Sequence, residues 1–205
     1  MRKLIISFLT AISCYSCQSL DQDKHLLNNI SPDLTDHWVN IVVEIPSGTN
    51  EKWEVNKESG LIERDSINGE PRTIQYLSYP GNYGFIPQTL LTKKDGGDGD
   101  PLDILVIGDA QERGSIIRCK VLGMLQLLDN SEQDDKLIAI AQNSNLQHIN
   151  DLKELESLFP GVLLILETWF VNYKGNGIVQ SKGFKDSHTA LALIKVSHHS
   201  FLKSN

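Results

Sequence analysis

Cysteine is scarce. The 205-residue chain has three, and two of them, Cys14 and Cys17, lie close to the N-terminus. The third, Cys119, sits in the apolar run SIIRCKVLGML and reads as a small packed hydrophobe. A disulfide framework is therefore not supported, and no Cys/His spacing suits zinc. The six histidines are scattered apart from His198–His199, which reads as a solvated pair rather than two ligands. Positive charge is also in short supply: 19 Lys and Arg against 26 Asp and Glu leave a net charge of −7. General nucleic-acid binding needs clustered cations that displace counterions, so this balance speaks against it. No internal repeat is visible, and no low-complexity stretch beyond the short acid-rich loop NSEQDD. What remains is a chain with 40% apolar and 22% charged residues, suited to one globular domain with extra terminal segments.

The N-terminus stands apart. MRK is a short basic start, and LIISFLTAIS is an apolar run of about ten residues. A spanning helix needs ~20 residues, whereas a secretory h-region needs fewer. Cys14 and Cys17 follow, each preceded by a serine, Ser13 or Ser16. The pattern resembles a bacterial lipoprotein signal, in which one cysteine is lipidated and becomes the new N-terminus. Either cysteine fits. Residues 1–17 are thus expected to be a signal and lipobox, 18–36 a polar tether, and 37–205 the folded domain. Export to the cell envelope with membrane attachment follows if the signal is used, and a cytoplasmic protein if it is not. Loss of Arg2 and Lys3 with the signal would take the net charge from −7 to −9.

Strand signals dominate the first part of the domain. VNIVVEI is rich in β-branched residues and ends at Pro46, KWEVNKESGLIERD reads as strand, turn and strand, and LDILVIG is an apolar run suited to a buried strand. SIIRCKVLGMLQLLD and DKLIAIAQ add two more strand regions. Helical spacing appears late. Apolar positions 146, 149, 152, 155, 158 and 159 step by three and four, and Pro160–Gly161 interrupts them. VLLILETWFVNY reads as a buried helix with Pro160 near its first turn, and Asp186 or Ser187 caps a last helix. Strands first and helices last predict an α+β fold, a curled antiparallel sheet or small barrel with helices packed on it.

Residues 95–103 read DGGDGDPLD, with four aspartates in nine residues. Glycines let the chain turn tightly there and Pro101 fixes one φ. Asp98, Asp100 and Asp103, just before and at the start of the LDILVIG strand, can converge on one point, as hard divalent cations such as Mg²⁺ require. A calcium EF-hand loop fails in both registers: from Asp98, position five is Leu102, and from Asp95, position three is Gly97. A solvated acidic turn is the bland alternative, and Asp95 suits it.

GDGDPLDIL resembles the signature of the family I soluble inorganic pyrophosphatases. Further blocks follow in order: VVEIP, KWEVNKESG, YPGNYGFIPQT, DNSEQDDKLIAI and NYKG. The resemblance runs from about residue 38 to the C-terminal helix. It implies an OB-like barrel with a five-stranded core and two main helices. It also implies Mg²⁺-dependent hydrolysis of pyrophosphate to two orthophosphates, by direct attack of a metal-bound hydroxide. By resemblance, Asp98, Asp103 and Asp134 hold the activating metal and Asp103 bridges to a second. Asp100 is the general base. Asp129, Asp134 and Glu54 serve metals that arrive with the substrate, and Glu44 is a further site acid. Lys52, Tyr83, Tyr173 and Lys174 match phosphate-binding positions, Lys136 lines the same cleft, and Tyr79 supports it. Two departures stand out. The phosphate-binding arginine is either Arg72, seven residues before Tyr79, or Arg64, which follows KESG more closely. Asn130 stands where an acid often follows the Asp129 position. A homo-oligomer is a further expectation from the family. The alternatives are a non-catalytic envelope lipoprotein that binds metal or polyphosphate on the same scaffold, and an oligonucleotide-binding barrel, which the acidity disfavours.

Overall fold

The computed structural model describes residues 25–130 and 132–204. The signal and lipobox reading at 1–17 and the first part of the tether lie outside the described residues. The chain forms β1 (Trp38–Ile45), β2 (Trp53–Val55), β3 (Ile62–Arg64), β4 (Ser66–Ile67), β5 (Glu70–Pro71), β6 (Asn82–Phe85) and β7 (Asp103–Ile107). Then come β8 (Ile116–Asp129), β9 (Glu132–Gln133), β10 (Lys136–Ala141), α1 (Leu152–Leu158), α2 (Val162–Asn172), β11 (Val179–Asp186) and α3 (Ser187–Ser204).

The main sheet runs β1-β6-β7-β10-β8, and β8 pairs back onto β1, which closes a five-stranded barrel. The expected barrel is present with one correction. β7 and β10 pair in parallel, so the barrel is mixed rather than antiparallel. Closure rests on β8, whose 14 residues pair with β1 through Ile116–Lys120, with β10 through Cys119–Leu125 and with β11 through Gly123–Asp129. A Cβ at Gly123 would meet the Lys185 carbonyl oxygen at 2.4 Å and the Leu152 side chain at 2.5 Å. Glycine is what lets β11 and α1 close over β8 there.

Alternation along the strands splits the core in two. Ile104, Val106, Leu137 and Ala139 cluster with Ala190 and Ile194 of α3. Their neighbours Leu105, Ile138 and Ile140 cluster with Leu152 and Leu155 of α1 and with Leu166, Trp169 and Phe170 of α2. Period-2 side-chain direction therefore sends one face of the wall to α3 and the other to α1 and α2.

Several sequence expectations change at this level. The helix expected from 146 starts only at Leu152, where the Asp151 side chain accepts from the Glu154 N–H at 2.8 Å. Leu146 and Ile149 still pack on the core, but from turns. α2 is not buried all round, since Leu164 and Ile165 are more than half exposed. β11 had no counterpart in the sequence reading, because VQSKGFKD carries little apolar alternation. From His25 on, the segment expected to be a tether is packed. Leu27 and Ile30 are buried, and Leu27 joins Val42 and Phe85 in a small apolar cluster with Leu26, Val55, Ile62 and Phe201 against it. His198 is also not free in solvent, since its Nδ1 lies 2.7 Å from the Gln88 carbonyl oxygen.

Candidate active site

The residues singled out in sequence come together at one rim of the barrel. Glu44 is near the end of β1, Lys52 and Glu54 lie at β2, and Tyr83 is in β6. Asp98 and Asp100 sit in the β6–β7 loop and Asp103 opens β7. Asp129 ends β8, Asp134 links β9 to β10, Lys136 opens β10, and Tyr173 and Lys174 follow α2. All of them, with Arg72, line a cavity of about 420 Å³. Strand ends gather there because consecutive barrel strands end at a shared rim, which residues distant in sequence reach together.

Arg72 lines the cavity and pairs with Asp65 at 2.9 Å. Arg64 instead pairs with Glu51 at 2.9 Å, stacks on Trp53 and donates to the Arg72 carbonyl, so it is not among the lining residues. Tyr79 is buried beneath the site, with its ring 5.1 Å from Tyr83 and 4.6 Å from Trp169. Trp169 in turn stacks on Tyr173 at 4.8 Å, which ties the α2 end to the barrel. The Asn130 amide donates to Asp129 Oδ1 at 3.0 Å and so orients that carboxylate. The sequence reading missed Lys57, Glu132 and Gln133, which also line the cavity. All three stood in matched blocks, Lys57 in KWEVNKESG and Glu132 and Gln133 in DNSEQDDKLIAI, yet nothing in their spacing marked them.

Charge in the cavity is paired and tightly packed. Lys136 is almost fully enclosed, and its Nζ lies 2.5 Å from Asp103 Oδ2 and also pairs with Asp134. Lys52 Nζ pairs with Glu54 Oε1 at 2.8 Å and lies 5.4 Å from the Tyr83 ring centre. Lys174 pairs with Asp129. Burial alone would raise the Asp103 carboxyl, yet Lys136 and the Tyr83 hydroxyl hold it below the ordinary value. Burial raises Asp98, helped by the negative fields of Asp100, Asp103 and Asp134. Burial likewise raises Asp134, with Asp103 adding to it against the pull of Lys136. Glu44 is pushed up to about 8, first by burial and then by Asp103 and Glu54, against the attraction of Lys52 and a 2.7 Å bond from the Val55 N–H. Burial opposes the charge on Lys52 and Lys136, but their carboxylate neighbours outweigh it and both stay firmly protonated. Burial and the nearby carboxylates hold the Tyr83 phenol neutral as a donor.

The donor set tests whether a metal fits. Every acid at the site offers oxygen, the preference of Mg²⁺ rather than of zinc or copper. The mutual fields among Asp98, Asp100, Asp103 and Asp134 are what a cation relieves. Among the described residues no three His, Cys, Asp or Glu side chains converge on one empty point, because Asp103 and Asp134 converge on the Lys136 ammonium instead. The site fits hard divalent ions by donor chemistry and charge.

Fold and site together place the chain in a class: α+β proteins on a closed five-stranded OB-like barrel with a cleft of carboxylates, ammonium groups and phenols at one rim. A family model described as "Inorganic pyrophosphatase" matches residues 41–202, and the chain belongs to that family. It is 37% identical over 201 residues to the mitochondrial inorganic pyrophosphatase of Saccharomyces cerevisiae, covering 85% of this chain and 65% of that protein. It is 37% identical over 151 residues to the inorganic pyrophosphatase of Ralstonia nicotianae, covering 72% of this chain and 80% of that protein. Among solved structures, the inorganic pyrophosphatase of Schistosoma japonicum superposes with a TM-score of 0.79 at 32% identity, covering 86% of this chain and 70% of that one. A Trypanosoma cruzi vacuolar soluble pyrophosphatase, truncated at its N-terminal domain and in complex with PPi, gives 0.77 at 28% identity, with 87% and 74% covered. The chain thus spans about two thirds of the yeast relative and four fifths of the Ralstonia one.

Proposed function

We propose that this chain hydrolyses inorganic pyrophosphate to two orthophosphates with Mg²⁺. One observation carries the proposal: acids, bases and phenols scattered from Glu44 to Lys174 line a single polar cavity. Asp98, Asp103 and Asp134 are the residues that would hold the activating ion, and Asp129, Glu54 and Asp134 those that would hold ions arriving with the substrate. Glu44 is a further acid beside them. Bound Mg²⁺ would neutralise phosphate charge and bring a water toward ionisation near neutral pH. Asp100 accepts the proton of the attacking water on its carboxylate. Lys52, Arg72, Tyr83, Tyr173 and Lys174 donate hydrogen bonds to the phosphoryl oxygens as charge builds on the leaving group. Lys136 holds Asp103 and Asp134 in register. Water attacks directly, so no phosphoenzyme forms.

The test is phosphate release from pyrophosphate with and without Mg²⁺, beside ATP and a phosphate monoester. Release confined to pyrophosphate with Mg²⁺ is expected, and an acid-stable phosphoprotein would overturn direct attack. Residues 1–17 carry the further proposal of export and lipidation at Cys14 or Cys17. Labelled fatty acid should then appear in the membrane fraction, and an unlipidated chain retaining Met1 would refute it. Among the described residues no helix is long and apolar enough to cross a membrane. A homo-oligomer belongs to the same reading, with the exposed Leu164 and Ile165 of α2 as its apolar support.

A further inference from the structure

We propose that Lys57 is a positioning residue for Asp100, an inference that rests on the pyrophosphatase reading above. Lys57 lies in the connection between β2 and β3, across the cavity mouth from the β6–β7 loop. Its Nζ donates to the Gly99 carbonyl at 3.1 Å and pairs with the Asp100 carboxylate. One ammonium thus grips both the peptide before Asp100 and its side chain.

The loop is pinned from the other side as well. Gly99 has φ 89°, which glycine alone adopts cheaply, and the Asp100 N–H donates to Asp98 Oδ1 at 2.9 Å. Leu91 holds the same turn through two backbone bonds of 3.0 Å, accepting from the Gly99 N–H and donating to the Asp100 carbonyl. The lysine's own turn is equally fixed. Asn56 Oδ1 accepts from the N–H groups of Glu58 at 2.8 Å and Ser59 at 3.1 Å. The segment from His25 braces it from outside. The Leu26 N–H donates to the Gly60 carbonyl at 3.0 Å, and a His25 ring nitrogen lies 3.3 Å from the Lys57 carbonyl oxygen. A Cβ on Gly60 would meet the His25 ring at 2.3 Å, so the close approach requires glycine.

Lys57 and Asp100 are each about half exposed, 53% and 47% by side chain. Exposed ion pairs contribute little to stability. Loss of Lys57 should therefore appear in the chemical step and leave the fold in place. A lysine that instead bound substrate would appear in KM.

The test compares Lys57→Met, Lys57→Arg, Asp100→Asn and the double variant Lys57→Met/Asp100→Asn. For Lys57→Met, kcat should fall about 10- to 100-fold with KM little changed, the scale of a misplaced catalytic group. Lys57→Arg should recover most of it, and on the Asp100→Asn background Lys57→Met should cost nothing further. In the metal-free, substrate-free protein, Lys57→Met should also shift the ¹H–¹⁵N resonances of the Gly99 and Asp100 amides. An unchanged kcat, a loss confined to KM, an equal loss on both backgrounds or unmoved amides would each overturn the proposal. Wild-type protein inactive on pyrophosphate, with the amide shifts present, would overturn the pyrophosphatase reading and leave the Lys57 contact standing.

Discussion

Lys136 sets the terms for mutating this site. It is buried, and its ammonium is neutralised by Asp103 and Asp134 together. Removing a carboxylate outright strands a buried charge, at a cost of about 3–5 kcal/mol. Asp103→Asn keeps the shape and an acceptor. It should cut turnover about 10³-fold or more, because metal-ligand charge supplies several kcal/mol of transition-state stabilisation. Circular dichroism should stay native, and retention of normal turnover would mean that the site is misassigned. The two arginines separate in the same way. Arg72 lines the cavity, so Arg72→Lys should lower kcat/KM about 10²-fold by losing the planar fork. Arg64 faces Glu51, Trp53 and Thr73, so Arg64→Ala should act mainly on thermal stability. The reverse ranking in steady-state kinetics would transfer the phosphate role to Arg64.

The elements that carry the site depend on local fits that can be broken singly. In β6, a Cβ on Gly84 would meet the Val42 carbonyl oxygen at 1.9 Å, where β1 pairs. Gly84→Ala should therefore disrupt the β1–β6 ladder and lower the melting temperature, with activity falling alongside because Tyr83 is its neighbour. The start of α2 is held by Glu156, whose carboxylate accepts from Gly161 N–H at 2.7 Å and Leu163 N–H at 3.1 Å. Those bonds hold its pKa below the ordinary 4.5. Its contribution is therefore full above 4.5 and is lost as pH falls through the lower folded value. Glu156→Ala should melt below wild type at neutral pH, and the gap should close in acid. A gap that widens on acidification would contradict this capping role.

At the scale of the whole molecule, the barrel, the helices and the segment from His25 support one another through apolar contact. Leu27 is the clearest link, buried against Val42 and Phe85, and Phe85 itself lines the polar cavity at the rim. Leu27→Ala should cost about 2–5 kcal/mol in urea unfolding, as for other buried leucines. A surface-like change of under about 0.5 kcal/mol would mean the segment is dispensable to the fold.

Several features were open in the sequence because they are local. Asp98, Asp100 and Asp103 fall in one short loop and strand start, β7 and β8 announce themselves by apolar runs, and Asp186 caps α3 by a bond three residues along, to the Thr189 N–H at 2.9 Å. Block order was legible too, and with it the family. Other features depend on contacts between distant segments, which composition and period cannot encode. The parallel pairing of β7 with β10 is one, since a short apolar run reads the same in either direction. β11 is another, formed because β8 is long enough to offer a third partner an edge. The start of α1 moved to Leu152 because Asp151 satisfies free N–H groups there, while Leu146 and Ile149 met the core without helix. The choice of Arg72 over Arg64 as the cavity residue also waited on tertiary structure, as did Lys57. The sequence by itself determined which residue types could carry the chemistry. Closure of the barrel decided which of them share a cavity, because only closure brings strand ends far apart in the chain to one rim.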